Sequence, residues 1–270
     1  MRRVSWFNLT SLTFGFAFLY LPMVVLVVYS FNSNKLVTVW AGFSTKWYGA
    51  LFRNEAFLDA AWVTLRVALV SSTLATVLGT MAAYVLVRGG RFRGRTLFSG
   101  MLYAPLVMPD VILGLSLLLL FISIGLDRGM TTIILAHTTF AMSYVAVVVS
   151  SRLVSFDRAL EEAALDLGCT PWDAFRSVTL PIIAPAVISG WLLGFTLSLD
   201  DLVIASFTSG PSSTTLPIKI FSAVRLGVSP EINALSSILI GIVTVGVITF
   251  SVTSKRAITK RMREENRAET

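Results

Sequence analysis

Three aspartates, Asp110, Asp200 and Asp201, lie inside or at the end of long apolar runs, where a carboxylate loses most of its hydration. An Asp at the centre of a membrane helix costs about 2.5 to 3.5 kcal/mol on insertion scales, so each needs a reason to be there. Carboxylates in such places can hold the ammonium groups of a passing cation or relay protons. Catalysis has less to build on. The chain has one histidine, His137, and one cysteine, Cys169. It contains no His-Glu-x-x-His zinc pair and no Gly-x-x-x-x-Gly-Lys-Ser/Thr phosphate loop, and no Ser/His/Asp set can be assembled from spacing. A metal site needs several ligands, so His137 reads as a packed or hydrogen-bonded interior residue and Cys169 as inert. No catalytic residue, metal or cofactor is therefore expected in this chain.

The elements that must position those acids follow from composition. Of 270 residues, 14% are charged, roughly half the share usual in soluble domains, and 55% are hydrophobic. With a mean hydropathy of +0.78, these values exclude a soluble fold and intrinsic disorder, and a single cysteine excludes an intrachain disulfide framework. Charge-free runs cover Val4–Asn34, Val67–Val87, Gly129–Ser151, Ser177–Leu199 and Ile232–Ser254, and Thr96–Leu126 is interrupted only by Asp110. Each can cross the hydrocarbon, which takes about 20 helical residues, and only helices satisfy their backbone there. The expected fold is an all-α polytopic membrane protein of six spans near 12–31, 64–87, 97–124, 130–150, 182–208 and 232–254, forming a single domain over 1–270. Pro22, Pro105, Pro109, Pro181 and Pro185 predict kinks or interruptions.

The net charge of +7 is explained by membrane orientation and contact with anionic lipid, with no nucleic-acid partner, because the basic residues sit between the apolar blocks. The first span reads as an uncleaved anchor. With the N-terminus cytoplasmic, fifteen of the 22 Lys and Arg fall on the cytoplasmic side, so both termini, including the tail at 255–270, are expected there. Small residues four apart mark close helix contacts: Ser71, Ala75, Gly79 and Ala83 on the second span, and Gly190, Gly194 and Ser198 on the fifth.

The connection between the fourth and fifth spans, about 155–181, is amphipathic where an ordinary loop would be merely polar. Leu160, Ala163, Ala164 and Leu167 fall on one helical face, with Asp157, Arg158, Glu161, Glu162 and Asp166 largely elsewhere. Gly168 stops that helix. Thr170-Pro171-Trp172-Asp173 then starts another, with Thr170 as N-cap and Pro171 at the first helical position. Such a stripe suits a partner's groove or, alternatively, the membrane surface.

Glu162-Ala163-Ala164, Gly168 and Val178-Thr179-Leu180-Pro181 resemble, in type and spacing, the EAA loop of bacterial ABC importer permeases, with Val178 for the usual Ile. Trp40-Ala41-Gly42-Phe43-Ser44 with Lys46-Trp47-Tyr48, Ala104-Pro105-Leu106-Val107-Met108-Pro109-Asp110, and Ser198-Leu199-Asp200-Asp201-Leu202-Val203-Ile204 resemble the polyamine branch of that family, most of all the second permease subunit of putrescine importers. The resemblance implies the type I importer permease fold in a bacterial inner membrane. It also implies a second permease subunit, an ATPase homodimer that binds ATP and Mg, and a periplasmic polyamine-binding protein. Coupling to the ATPase is implied for Glu162, Ala163, Ala164 and Gly168. The substrate path is expected at Asp110, Asp200 and Asp201, since a polyamine requires carboxylates for its charges and apolar walls for its methylenes. Alternatively, an acid accepts hydrogen bonds from a broken helix end or reaches outer water. The competing functions are a permease of the same type for another solute, and a proton-coupled secondary transporter or channel.

Overall fold

The computed structural model describes residues 5–35, 39–227, 229–245, 248 and 249. The described chain is helical: α1 (Trp6–Ser30), α2 (Lys46–Leu51), α3 (Glu55–Arg88), α4 (Arg95–Val107), α5 (Asp110–Ser123), α6 (Met130–Ser155), α7 (Ala159–Asp166), α8 (Pro171–Ala174), α9 (Leu180–Asp200), α10 (Val203–Thr208), α11 (Leu216–Leu226) and α12 (Pro230–Val245). A π-helical turn, Phe175–Thr179, runs α8 directly into α9. The residues fall into two compact units, one formed by the segments before 56 and after 221, the other by Ala56–Phe221.

Four continuous helices are long and apolar enough to span a membrane: α1, α3, α6 and Pro171–Asp200; a fifth span results if α4 and α5 are counted as one broken crossing. Six were expected. The sixth, 232–254, falls on the shorter apolar helix α12 and on residues outside the described ones, and the expected tail at 255–270 lies wholly outside the described residues. Two expected spans are corrected. The third, 97–124, is two helices meeting at 119°. The break follows from Pro109, which offers no N–H and disfavours helical backbone at the residue before it; Met108 is extended at ψ 135°. The fifth, 182–208, starts earlier, at Pro171, and stops at Asp200, because Asp201 is extended and α10 begins anew at Val203.

In the larger unit the small-residue stripes are the contact lines. Ser71, Ala75, Gly79 and Ala83 are all buried. A Cβ on Gly79 would lie 2.8 Å from the Met142 carbonyl, so α3 and α6 meet backbone to backbone at that point. Gly190 faces Val145, Gly194 faces Ala141 and Ser72, and Ser198 faces His137. As numbers rise on α9 they fall on α6, the signature of an antiparallel pair with one small residue per turn. Ala75, Ala83, Val145, Val149, Leu153 and Ile183 fill the core this creates.

The short helix α10 is held from several sides. Phe207 and Ile204 pack over Gly114 of α5, and Thr132 at the start of α6 donates to the Thr208 carbonyl at 2.7 Å. In the smaller unit, Asn32 closes the end of α1: its side chain donates to the Val39 carbonyl and accepts from the Ala41 amide, while Trp47 donates to its carbonyl.

Candidate functional site

Asp201 sits where α9 breaks. Its extended backbone turns the carboxylate onto the start of α10, where Oδ2 accepts from the Ala205 amide at 2.7 Å and Oδ1 from the Ile204 amide at 3.3 Å. First-turn amides have no intrahelical partner and carry partial positive charge, so an acid at this point is stabilised. The carboxylate also touches His137, whose Nε2 is 3.2 Å from Oδ2 without hydrogen-bond alignment. The other ring nitrogen, Nδ1, lies 2.7 Å from Ser198 Oγ, which in turn lies 3.1 Å from Ser71 Oγ. One polar chain thus ties α3, α6, α9 and the start of α10.

Ser198, His137 and Asp201 come together in the order of a hydrolase triad, which sequence spacing did not suggest. The arrangement is not built for attack on a substrate. Ser198 is 4% exposed and its hydroxyl lies between Ser71 and His137, while both Asp201 oxygens accept from backbone amides. His137, 1% exposed, is the interior hydrogen-bonded residue expected of it.

The other two acids are placed differently. Asp200, the last residue of α9, is exposed, and Asp110 is exposed at the first position of α5, beside the 119° break. Among the described residues no hydrogen bond or ion pair joins Asp110 to Asp200 or Asp201. The neighbouring carboxylates at 200 and 201 therefore have separate surroundings, one on the surface of this chain and one folded into it.

The second site is the connection from α6 to α9. Gly168, at φ +91°, ends α7 in a Schellman motif, with the Cys169 amide bonding to the Ala164 carbonyl and the Gly168 amide to the Leu165 carbonyl. Thr170 caps α8 by accepting from the Asp173 amide at 3.2 Å, and Pro171 occupies the first helical position, both as the sequence predicts. The two short helices are welded to the bundle through Glu161, a residue off the apolar stripe of α7. Glu161 is buried, 2.8 Å from Arg88 at the end of α3, and accepts from Thr179 Oγ1 at 2.8 Å. Arg88 donates onward to the Phe156 carbonyl at 3.3 Å and covers that residue's ring. Tyr84 and Trp172 pack on Phe175 from two sides.

Glu161 and Ala164 therefore face inward, whereas Glu162, Ala163, Leu160, Leu167 and Gly168 face outward. Leu167 is 87% exposed and Trp172 68%. The period of α7 gives no sign that Glu161 is buried, because its counter-charge, Arg88, lies 73 positions earlier in the chain. Glu162 makes only an exposed pair with Arg158, at 3.1 Å.

Residues 75–264 match the family of binding-protein-dependent transport system inner membrane components. The chain belongs to that family. Among related permeases, the putrescine transport system permease protein PotI of Escherichia coli strain K12 is 58% identical, over 98% of this chain and 96% of its own. The spermidine/putrescine transport system permease protein PotC of the same strain is 46% identical, over 86% and 88%. In fold, the permease matches a chain of a bacterial ABC transporter involved in import of the acidic polysaccharide alginate, with a TM-score of 0.74 and 18% identity over 92% and 94% of the two chains. It also matches a chain of a bacterial alginate ABC transporter in complex with an alginate pentasaccharide-bound periplasmic protein, with a TM-score of 0.68 and 19% identity over 93% of each. An all-helical permease fold of the ABC importers and a place in the inner membrane follow from these matches.

Proposed function

We propose that this chain is the transmembrane permease subunit of an ATP-driven importer that carries polyamines, putrescine foremost, from periplasm to cytoplasm. The observation that carries this reading is 58% identity to a putrescine permease along nearly the whole chain. A second permease subunit, a pair of ATPase subunits and a periplasmic polyamine-binding protein complete the machine. ATP and Mg belong to the ATPase, and this chain supplies no hydrolytic chemistry.

In this reading Asp200 and Asp110 meet the ammonium groups of the substrate, and Asp201 fixes the helix break that presents Asp200. Carboxylates exposed on one chain become cavity walls when a second permease closes the path, and a diamine then exchanges water for paired charges at its ends. An interior-negative potential favours cation entry by about 2.3 kcal/mol per charge per 100 mV, and ATP adds accumulation and one-way control. The outward face of α7, with Glu162, Ala163, Leu167 and Gly168, docks in a groove of the ATPase. Ala164 packs that helix from behind, and closure of the ATPase reaches the bundle through Glu161, Arg88 and Thr179. Both termini and the lever then share the cytoplasmic side.

The test is uptake by the reconstituted complex of a panel of mono-, di- and triamines. Saturable, ATP-dependent uptake of putrescine, weakened by Asp200→Asn, is expected. Uptake of a sugar or neutral amino acid in place of every amine would overturn the substrate assignment.

A further inference from the structure

Away from the acids and the lever, α3, α4 and α6 enclose an apolar groove of about 530 Å³, walled by Leu78, Met81 and Val85 of α3, Phe98 and Met101 of α4, and Met142 of α6. Its one wall hydroxyl, Thr139, already donates to the Leu135 carbonyl, so no polar group there lacks a partner. At one end the groove meets the turn joining α3 to α4. That turn is fastened in three ways. Gly90 and Gly94 adopt φ +64° and +87°, Arg95 donates to the Gly90 and Leu86 carbonyls at 2.7 Å each, and the Phe92 ring packs edge-on against Phe98 of the groove wall. Arg91 and Arg93 flank Phe92, are exposed, and have no side-chain hydrogen bond or ion pair among the described residues.

We propose that groove and turn together bind one anionic phospholipid, with an acyl chain along the groove and its phosphate against Arg91 and Arg93. Three features converge on this occupant. A methionine-lined trough without unsatisfied polar atoms suits a flexible hydrocarbon chain. Guanidinium forks match phosphate oxygens and are drawn to anionic membrane surfaces. The fastened turn seats Phe92, between the two arginines in sequence, against the groove wall at Phe98 before the lipid arrives, which lowers the ordering cost of binding. A transmembrane helix of another subunit would fill the trough but leave the two free guanidinium groups without a role. The site is independent of what the importer carries.

The test is native mass spectrometry of the intact transport complex after equilibration with mixed micelles of phosphatidylglycerol or phosphatidylcholine. One phosphatidylglycerol retained per copy of this chain, and no phosphatidylcholine, is the expected result. The exposed-loop double variant R91Q/R93Q should lower that retention about 30-fold, near what two basic residues contribute at an anionic surface. Met101→Trp, which fills the trough but spares the arginines, should also abolish it. Equal retention of both lipids, indifference to either variant, displacement by millimolar inorganic phosphate alone, or efficient cross-linking of Met101→Cys to another subunit would each overturn the proposal.

Discussion

Glu161 and Glu162 are adjacent in the chain and identical in type, yet the structure gives them opposite tasks, so replacing each with alanine separates the weld from the docking face. Glu161→Ala removes the carboxylate that pairs with Arg88 at 2.8 Å and accepts from Thr179 at 2.8 Å, with both charged side chains only 11% exposed. Breaking a buried pair from one side leaves an uncompensated charge at about 3–5 kcal/mol. The residual exposure and the Phe156 carbonyl still bonded to Arg88 argue for the low end, about 3 kcal/mol, or roughly 150-fold in the docking equilibrium of α7. Glu162→Ala removes a pair whose partners are 65% and 60% exposed, worth under about 0.5 kcal/mol. Amide hydrogen exchange across 159–166 in the assembled complex reads the difference. Glu161→Ala should deprotect α7 by up to that factor and uncouple ATP hydrolysis from uptake. Glu162→Ala should weaken attachment of the ATPase and leave exchange across 159–166 unchanged wherever the ATPase remains bound. Equal protection in wild type and Glu161→Ala would refute the weld.

Other substitutions follow from the same geometry. Gly79→Val forces a side chain into the Met142 carbonyl and Val145 and should destabilise the bundle by about 1–3 kcal/mol, whereas Gly100→Val, with open space around it, should leave the melting temperature near wild type. Asp201→Ala strips the acceptor from two α10 amides and should cost about 1–2 kcal/mol in thermal unfolding, while Asp200→Asn should raise the apparent KM for putrescine without moving that transition. Gly168→Ala places a Cβ at φ +91° and should cost about 1 kcal/mol in lever stability by hydrogen exchange, with Gly168→Pro abolishing import outright.

Much of this architecture is legible from residue type and spacing. Ser71, Ala75, Gly79 and Ala83 predict a close helix contact because only small side chains let backbones approach, and Gly79 has room for no more. Thr170, Pro171 and Gly168 predict the ends of α7 and α8, since capping is local chemistry within a few residues. What stays hidden depends on distant partners. The helix period puts Glu161 with its acidic neighbours until Arg88 turns it inward. Apolarity alone carries the fifth span past Asp201, although the first-turn amides of α10 supply the acceptor's partners and make a break stable. Pro109 announces an interruption but not a 119° corner, whose angle depends on the packing of α5 against α10 at Gly114. The meeting of Ser71, Ser198 and His137 needs the register of three helices, which no single stretch contains.

The central claim is that this permease is moved by a separate ATPase and not by an ion gradient of its own. Radiolabelled putrescine uptake into proteoliposomes holding the full complex and internal ATP, with the proton gradient collapsed by an ionophore, tests it directly. Accumulation that persists under the ionophore and stops when ATP is replaced by a non-hydrolysable analogue is the predicted result. Accumulation that needs the gradient and ignores ATP would contradict the account.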